Sequence, residues 1–377
     1  MHTFIVKNKV QPFDKLLTKF KGCTYLLIIK PTAMLKKISA GAIGFLSFVS
    51  IHAQTDSTKK PTTTFSGSLD AYYRFNFSNP SGGGTNNLTS FTNSQNSFEL
   101  GMATLRVDHS VGKVSATIDL GFGRRAQEFS YNDVGTTLTA VKQAYISFAP
   151  SDKVKFTIGK WATHIGYEVL DAIGNRNYSM SYGFSYGPFF HTGLKADISL
   201  GGKSALMLGV ANPTDYVSTT STVKVAIAQF STATKNDKLK AYLNFQGATG
   251  LTQFDLVVTG VLSSQFNISY DGTLQSSKIG TTNSSWKDHA LYFNYDPTNK
   301  FGLTLRGDYF DDRKLNPLIV NSKNIFATTL SANVKIDNLT IIPELRLDNA
   351  SGAIFTKGSG AATKSTATFL LAAVYKF

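Results

Sequence analysis

The side chains in this 377-residue sequence with most to offer chemically are charges set two or four positions apart: Asp70 with Arg74, Arg106 with Asp108, Lys195 with Asp197, Arg306 with Asp308, and the run Glu344, Arg346 and Asp348. Asp119, Lys240 and Asp255 stand singly in similar surroundings. Even spacing puts the members of each set on one face of a β-strand. Both signs share that face, so the chemistry on offer is hydration and a transverse field along a wet surface. Covalent chemistry has weaker support. His109, His164, His191 and His289 are too scattered for metal spacing such as His-Glu-x-x-His. His289, beside Asp288, lacks a nucleophile and reads as a polar residue at a strand start. No enzyme activity, metal or cofactor is therefore expected.

Elements able to present such faces recur along the chain. Between Phe65 and Phe77 the odd positions are mostly apolar and the even ones mostly polar, and the dyad returns at 114–122, 154–158, 194–200, 239–245, 266–270, 301–309 and 339–347. No stretch sustains a helical period, so an all-β body is expected. Seven short turns are predicted near 110–112, 149–153, 200–203, 231–238, 262–265, 296–300 and 334–338. They alternate with eight mostly longer connections near 79–96, 124–136, 162–189, 212–222, 247–251, 275–285, 312–322 and 349–364. Sixteen strands joined in this way describe a transmembrane antiparallel up-and-down β-barrel. The count becomes fourteen if 252–262 and 265–274 form one irregular excursion. A soluble β-sandwich also buries one face of each strand, but it needs neither the alternation nor terminal aromatics such as Tyr72, Tyr73, Phe75 and Phe77.

The charge balance points the same way once it is divided. The whole chain carries +14, with 42% hydrophobic, 12% aromatic and 16% charged residues, too apolar for disorder. Residues 1–53 hold eight lysines and one acid, leaving 30 basic and 23 acidic residues, or +7, in the remainder. Those basic residues are dispersed among acids, which argues against nucleic acid as a partner. Lys36 and Lys37 precede an apolar run, Ile38 to Ile51, and then His52 and Ala53. This order predicts a signal peptide over 34–53, cleaved after Ala53, with 1–33 as an upstream extension from a misassigned start codon. Residues 54–64 are expected to be a periplasmic linker and 65–377 the outer-membrane barrel. The only cysteine, Cys23, falls in the front segment.

The final strand, Thr366 to Phe377, places Phe369, Leu371, Ala373, Tyr375 and Phe377 on one face. An amphipathic end in Phe resembles the signal read by the barrel assembly machinery. Further likeness lies in Gln143 to Phe148, Phe156 to Glu168, Asn175 to Ser179, Pro188 to Gly193, Ala290 to Asp296, Leu303 to Asp312 and Val374 to Phe377. These stretches resemble the β-barrel porin-2 (OmpL-like) family, with 143–193 the most specific. The resemblance covers most of the chain after the signal segment. It implies a porin in the outer membrane of a Bacteroidetes-type bacterium.

In such a barrel the outer face meets lipid and the alternate face lines the lumen. Asp70, Arg74, Arg106, Asp108, Asp119, Lys195, Asp197, Lys240, Asp255, Arg306, Asp308, Glu344, Arg346 and Asp348 become pore-lining candidates. The third long connection, about 162–189, carries His164, Glu168, Asp171 and Arg176 with four tyrosines, too aromatic for a disordered segment. It is expected to fold inward and narrow the pore, with Glu168 and Arg176 near the constriction. The expected function is passive diffusion of small hydrophilic solutes, and a homotrimer follows by analogy with porins of this size. The alternative is a structural or adhesive outer-membrane barrel with a closed lumen.

Overall fold

The structure, a computed structural model, describes residues 60–314 and 322–377. The expected signal peptide and upstream extension lie outside the described residues. Strands follow as β1 (Thr62–Asn76), β2 (Ser97–Val111), β3 (Val114–Phe122), β4 (Val141–Ser151), β5 (Val154–Ala162), β6 (Phe190–Gly201), β7 (Ser204–Ala211) and β8 (Val225–Ala233). The series continues with β9 (Leu239–Ala248), β10 (Leu251–Val261), β11 (Phe266–Ile279), β12 (Thr282–Thr298), β13 (Phe301–Lys314), β14 (Asn324–Ile336) and β15 (Leu339–Ala350). A two-residue ribbon, β16 (Phe355–Thr356) with β17 (Ala362–Thr363), decorates the last long loop before β18 (Ser365–Lys376). Two short helices, α1 (Arg124–Phe129) and α2 (Tyr182–Tyr186), lie in the second and third long loops. Among the described residues no helix is long and apolar enough to cross a membrane.

Each wall strand pairs antiparallel with its sequence neighbour, and β1 pairs with β18 from Ser68↔Lys376 to Asn76↔Thr368, closing a sixteen-stranded barrel. The seam ends in reciprocal bonds between Gly67 and Phe377, Gly67 N–H to Phe377 O and Phe377 N–H to Gly67 O, each 3.0 Å. Closure leaves no unpaired wall edge, the requirement for β-structure in lipid. Fourteen strands are excluded, because β10 and β11 pair without interruption from Leu251↔Ser277 to Val261↔Asn267.

Alternation in the sequence becomes alternation across the wall. Leu105, Ile118, Ile146, Ile158, Leu194, Leu243 and Leu345 point outward, each 48% to 59% exposed. That much exposed leucine and isoleucine would drive aggregation in water and suits a hydrocarbon layer. The alternation breaks at Gly159, whose φ is +134°: Lys160 and Trp161 after it are both buried, although β4 and β5 stay in register from Ala144↔Lys160 to Phe148↔Phe156. A Cβ there would sit 2.2 Å from the Ala144 carbonyl oxygen, so only glycine lets β4 and β5 stay paired at this point.

Three boundaries differ from the sequence reading. β1 begins at Thr62, inside the expected linker, because Thr62, Thr63 and Thr64 pair with Ser110, His109 and Asp108. The connections expected near 247–251 and 275–285 are two-residue turns at 249–250 and 280–281. Gly250 and Gly280 supply the positive φ these turns need, 79° and 61°, and polar cross-strand pairs such as Ser277 with Ser284, 2.8 Å apart, carry β11 and β12 onward.

The barrel interior is not uniformly wet. Phe91, Met102, Ala126, Phe129, Leu170, Met180, Phe184, Phe189 and Phe190 form one buried apolar cluster, drawn from the first three long loops and the wall. A second joins Tyr182 to Trp286, Phe310, Ile325 and Phe355. Both lie with the long loops, so that end of the barrel is packed in the manner of a globular core.

Candidate functional site

Residues 163–189 connect β5 to β6 and pass into the barrel. Backbone groups carried away from water require partners, and the interior wall supplies them. Gly166 N–H donates to Asp255 Oδ1 (3.0 Å) and Tyr167 N–H to Asp271 Oδ2 (2.8 Å). Tyr178 and Ser179 donate to the two oxygens of Glu344 (2.8 and 3.1 Å), and Tyr182 N–H to Asp308 Oδ2 (2.8 Å). The carbonyls face cations: Arg306 Nη1 donates to Ser179 O (2.8 Å) and Arg346 Nη1 to Met180 O (2.7 Å). Tyr178 Oη donates to Asp70 Oδ1 (2.5 Å) and Tyr182 Oη to Asp348 Oδ1 (2.9 Å).

Side chains of the loop complete the attachment. Glu168 Oε1 lies 2.5 Å from Arg306 Nη1, while Glu168 Oε2 accepts from Ser181 N–H (2.7 Å). Asp171 bonds Lys142 Nζ at 2.5 Å, and the same ammonium is 3.1 Å from Asp119. Arg176 forms a fork to Asp296 (3.0 and 2.8 Å) and a bond to Thr304 Oγ1 (2.7 Å). The fork exists because residue 302 is glycine: a Cβ there would come 2.6 Å from an Arg176 guanidinium nitrogen and 2.3 Å from Asp296 Oδ1. Arg125, on α1, sits over the Phe91 and Tyr178 rings and donates to Leu170 O (3.1 Å) and Tyr178 O (3.3 Å).

The fourteen wall candidates divide into two groups. Asp70, Arg74, Asp119, Asp255, Arg306, Asp308, Glu344, Arg346 and Asp348 face inward but are at most 7% exposed. Most of them bond the inserted loop, and Arg74 instead donates to the first-loop carbonyls of Thr85 (2.8 Å) and Ser94. Arg106, Asp108, Lys195, Asp197 and Lys240 keep partial access. Arg106 forks onto Asp108 (2.7 and 2.9 Å) and lies 3.8 Å from Asp119. Arg106, Asp119, Lys142 and Asp171 line a cleft of about 240 Å³ whose wall includes Ile173. Lys142, Asp271 and Asp296 were absent from the sequence candidates. Strand parity could have found the two aspartates, whereas the register shift beside Asp119 displaces Lys142 from its parity.

His164, at the loop entrance, places Nε2 3.2 Å from Phe245 O. Burial lowers its pKa from 6.5 to about 4, against the opposing help of that carbonyl. Above pH 6.5 the docked and released imidazoles are both neutral. As pH falls from 6.5 through 4, only the released ring takes up its proton, so docking weakens, by on the order of 3 kcal/mol at the limit. Conductance should therefore rise on acidification toward pH 4 more in the wild type than in His164→Gln. Equal responses in planar-bilayer recordings would dismiss the histidine as an acid-sensitive anchor.

The string Gly183-Phe184-Ser185-Tyr186-Gly187 has the spacing of a hydrolase nucleophile elbow. Its geometry is different: residues 182–186 are α2, and Ser185 Oγ donates to Ser181 O (2.7 Å) and accepts from Ser90 N–H (3.0 Å). Among the described residues no three His, Cys, Asp or Glu side chains are grouped to hold a metal ion.

A family model described as "Putative beta-barrel porin-2, OmpL-like" matches residues 62–377. No curated protein sequence matches the chain. Among solved structures, the outer membrane channel DcaP of Acinetobacter baumannii aligns with a TM-score of 0.58 at 10% identity, covering 86% of this chain and all of that one. A loop L8 deletion mutant of OmpT, an outer membrane protein of Vibrio cholerae, gives 0.61 at 11% identity, with 85% and 100% covered. An anion-selective porin from Comamonas acidovorans gives 0.57 at 10% identity, with 84% and 100% covered. At these identities the likeness is one of fold.

Proposed function

The chain belongs to the OmpL-like β-barrel porin-2 family of the bacterial outer membrane, and from that premise we propose that it is a passive diffusion channel for small hydrophilic solutes, narrowed by its third loop. The observation that carries the narrowing is the attachment of residues 166–182 to inward-facing groups on the arc that runs from β10 through β11, β13 and β15 to β1, and to Lys142 on β4 in the other half of the wall. Sixteen strands can enclose an aqueous channel, and a loop tied across it leaves passage beside the loop. That passage would run past the accessible Arg106, Asp108, Lys195, Asp197 and Lys240. Glu168 and Arg176 act in this reading as clamps for the loop, through Arg306 and Asp296, and the reading includes no covalent chemistry. A homotrimer and delivery of the C-terminal strand to the assembly machinery belong to the same proposal.

The two apolar clusters at the loop end favour a second reading, a structural or adhesive barrel whose lumen stays shut. Planar-bilayer recording separates the two. Purified, heat-modifiable protein should give discrete openings, and deletion of residues 168–184 should raise conductance roughly twofold or more as the channel widens toward what the strands enclose. Silence from well-folded wild type would favour the closed barrel. Equal conductance in the deletion would remove the loop from its role.

A further inference from the structure

Residues 60–377 carry 29 basic and 22 acidic side chains, a surplus of +7. The structure concentrates it. At the end of the barrel formed by the tight turns and the two chain ends of the wall, Lys60, Lys113, Lys153, Lys203, Lys235, Lys238, Lys300, Lys335 and Lys376 are all exposed. Among exposed side chains only Asp152, Asp237 and Asp337 accompany them, so the exposed side chains of this rim sum to +6. Lys203 pairs with Asp237 at 2.9 Å, the one ion pair of the rim among the described residues. All other side chains of residues 60–377 then net +1.

The positive charge continues inward along one sector of wall. Lys155 on β5, Lys195 on β6 and Lys240 on β9 share the interior parity of Thr157, Asp197 and Asn244. Asp197 serves both Lys155 (3.6 Å) and Lys195 (3.3 Å), while Lys240 has no ion pair among the described residues. An exposed rim of one sign leading to a same-signed, low-dielectric wall focuses potential into the opening and enriches counter-ions there. Lipid headgroups could reach the rim but not the three interior lysines, so the arrangement favours solutes over a membrane surface as its partner.

We propose that the turn end is a cationic funnel that makes the channel prefer small anionic solutes, such as carboxylates and phosphate esters. The inference rests on the diffusion-channel reading. Its probe is potassium chloride. In a planar bilayer with a salt gradient, wild-type openings should reverse at a potential of the sign given by chloride preference. The triple variant Lys155→Gln, Lys195→Gln, Lys240→Gln should lower the chloride-to-potassium permeability ratio roughly twofold or more. Replacing Lys113, Lys153, Lys203 and Lys235 by Gln should reduce chloride current near 0.1 M salt and have little effect near 1 M, where the screening length shrinks from about 10 Å to about 3 Å. Absence of openings from heat-modifiable wild type would defeat the channel reading itself. Openings that prefer potassium, or a ratio untouched by the interior triple variant, would overturn the funnel while leaving the channel intact.

Discussion

Arg306→Ala should raise the single-channel conductance and make it fluctuate, while the barrel itself stays folded and heat-modifiable. Arg306 is fully buried on β13 and holds three groups: Glu168 Oε1 at 2.5 Å, Ser179 O at 2.8 Å and Thr329 Oγ1 at 3.2 Å. Removing it leaves the Glu168 carboxylate without its cation in a site that excludes water. Breaking a buried pair from one side costs about 3–5 kcal/mol. The wall hydrogen bonds of β13 do not depend on this side chain, so the cost falls on loop docking. At about 1.4 kcal/mol per tenfold, the released population should grow by roughly two to three and a half orders of magnitude. Arg306→Lys should fall between, since lysine keeps the charge but lacks the second guanidinium nitrogen that donates to Thr329 Oγ1 while Nη1 serves Glu168 and the Ser179 carbonyl. A correctly folded Arg306→Ala protein with wild-type conductance and noise would rule out this ion pair as the loop's principal clamp.

Leu345→Arg should destabilise the barrel by about 2–4 kcal/mol, the cost of a cation on the lipid face near the bilayer midplane. Leu345 lies midway along β15, opposite Leu330 and Phe369, and is 53% exposed outward. The neighbouring positions Glu344 and Arg346 already carry charge, yet they face the interior, where Ser331 and Asp348 bond them at 2.7 and 2.9 Å. One residue of strand therefore separates a tolerated arginine from a costly one. Urea titrations in lipid vesicles would measure the difference. A Leu345→Arg barrel as stable as the wild type would mean that this face does not meet hydrocarbon.

Much of the wall was legible because the information is local. Phe65, Leu69, Ala71, Tyr73 and Phe75 alternate with Ser68, Asp70, Arg74 and Asn76, and the outward and inward faces follow that order in β1. The short turns follow from the same pattern. Where local rules misled, the cause was also local: Gly250 and Gly280 permit two-residue turns that polar flanks had disguised as longer loops. The inserted loop was less legible. Its length and tyrosines marked it as unusual, but nothing near residue 178 indicates that its N–H will be received by Glu344, or that of Tyr182 by Asp308.

The sequence by itself determined the barrel, its sixteen strands, the lipid-facing positions and the interior parity of the charges. Period-two patterning and turn chemistry act between residues close in the chain and need no knowledge of the closed structure. Only the tertiary structure decided what the interior charges do. Asp70, Asp308, Glu344 and Arg346 became partners of a loop more than a hundred residues away, because backbone carried into the barrel must find acceptors and donors there. Closure also gathered the dispersed lysines of separate turns onto one rim. A charge excess that is diffuse along the chain is concentrated at one mouth of the barrel, since every second connection returns to the same end.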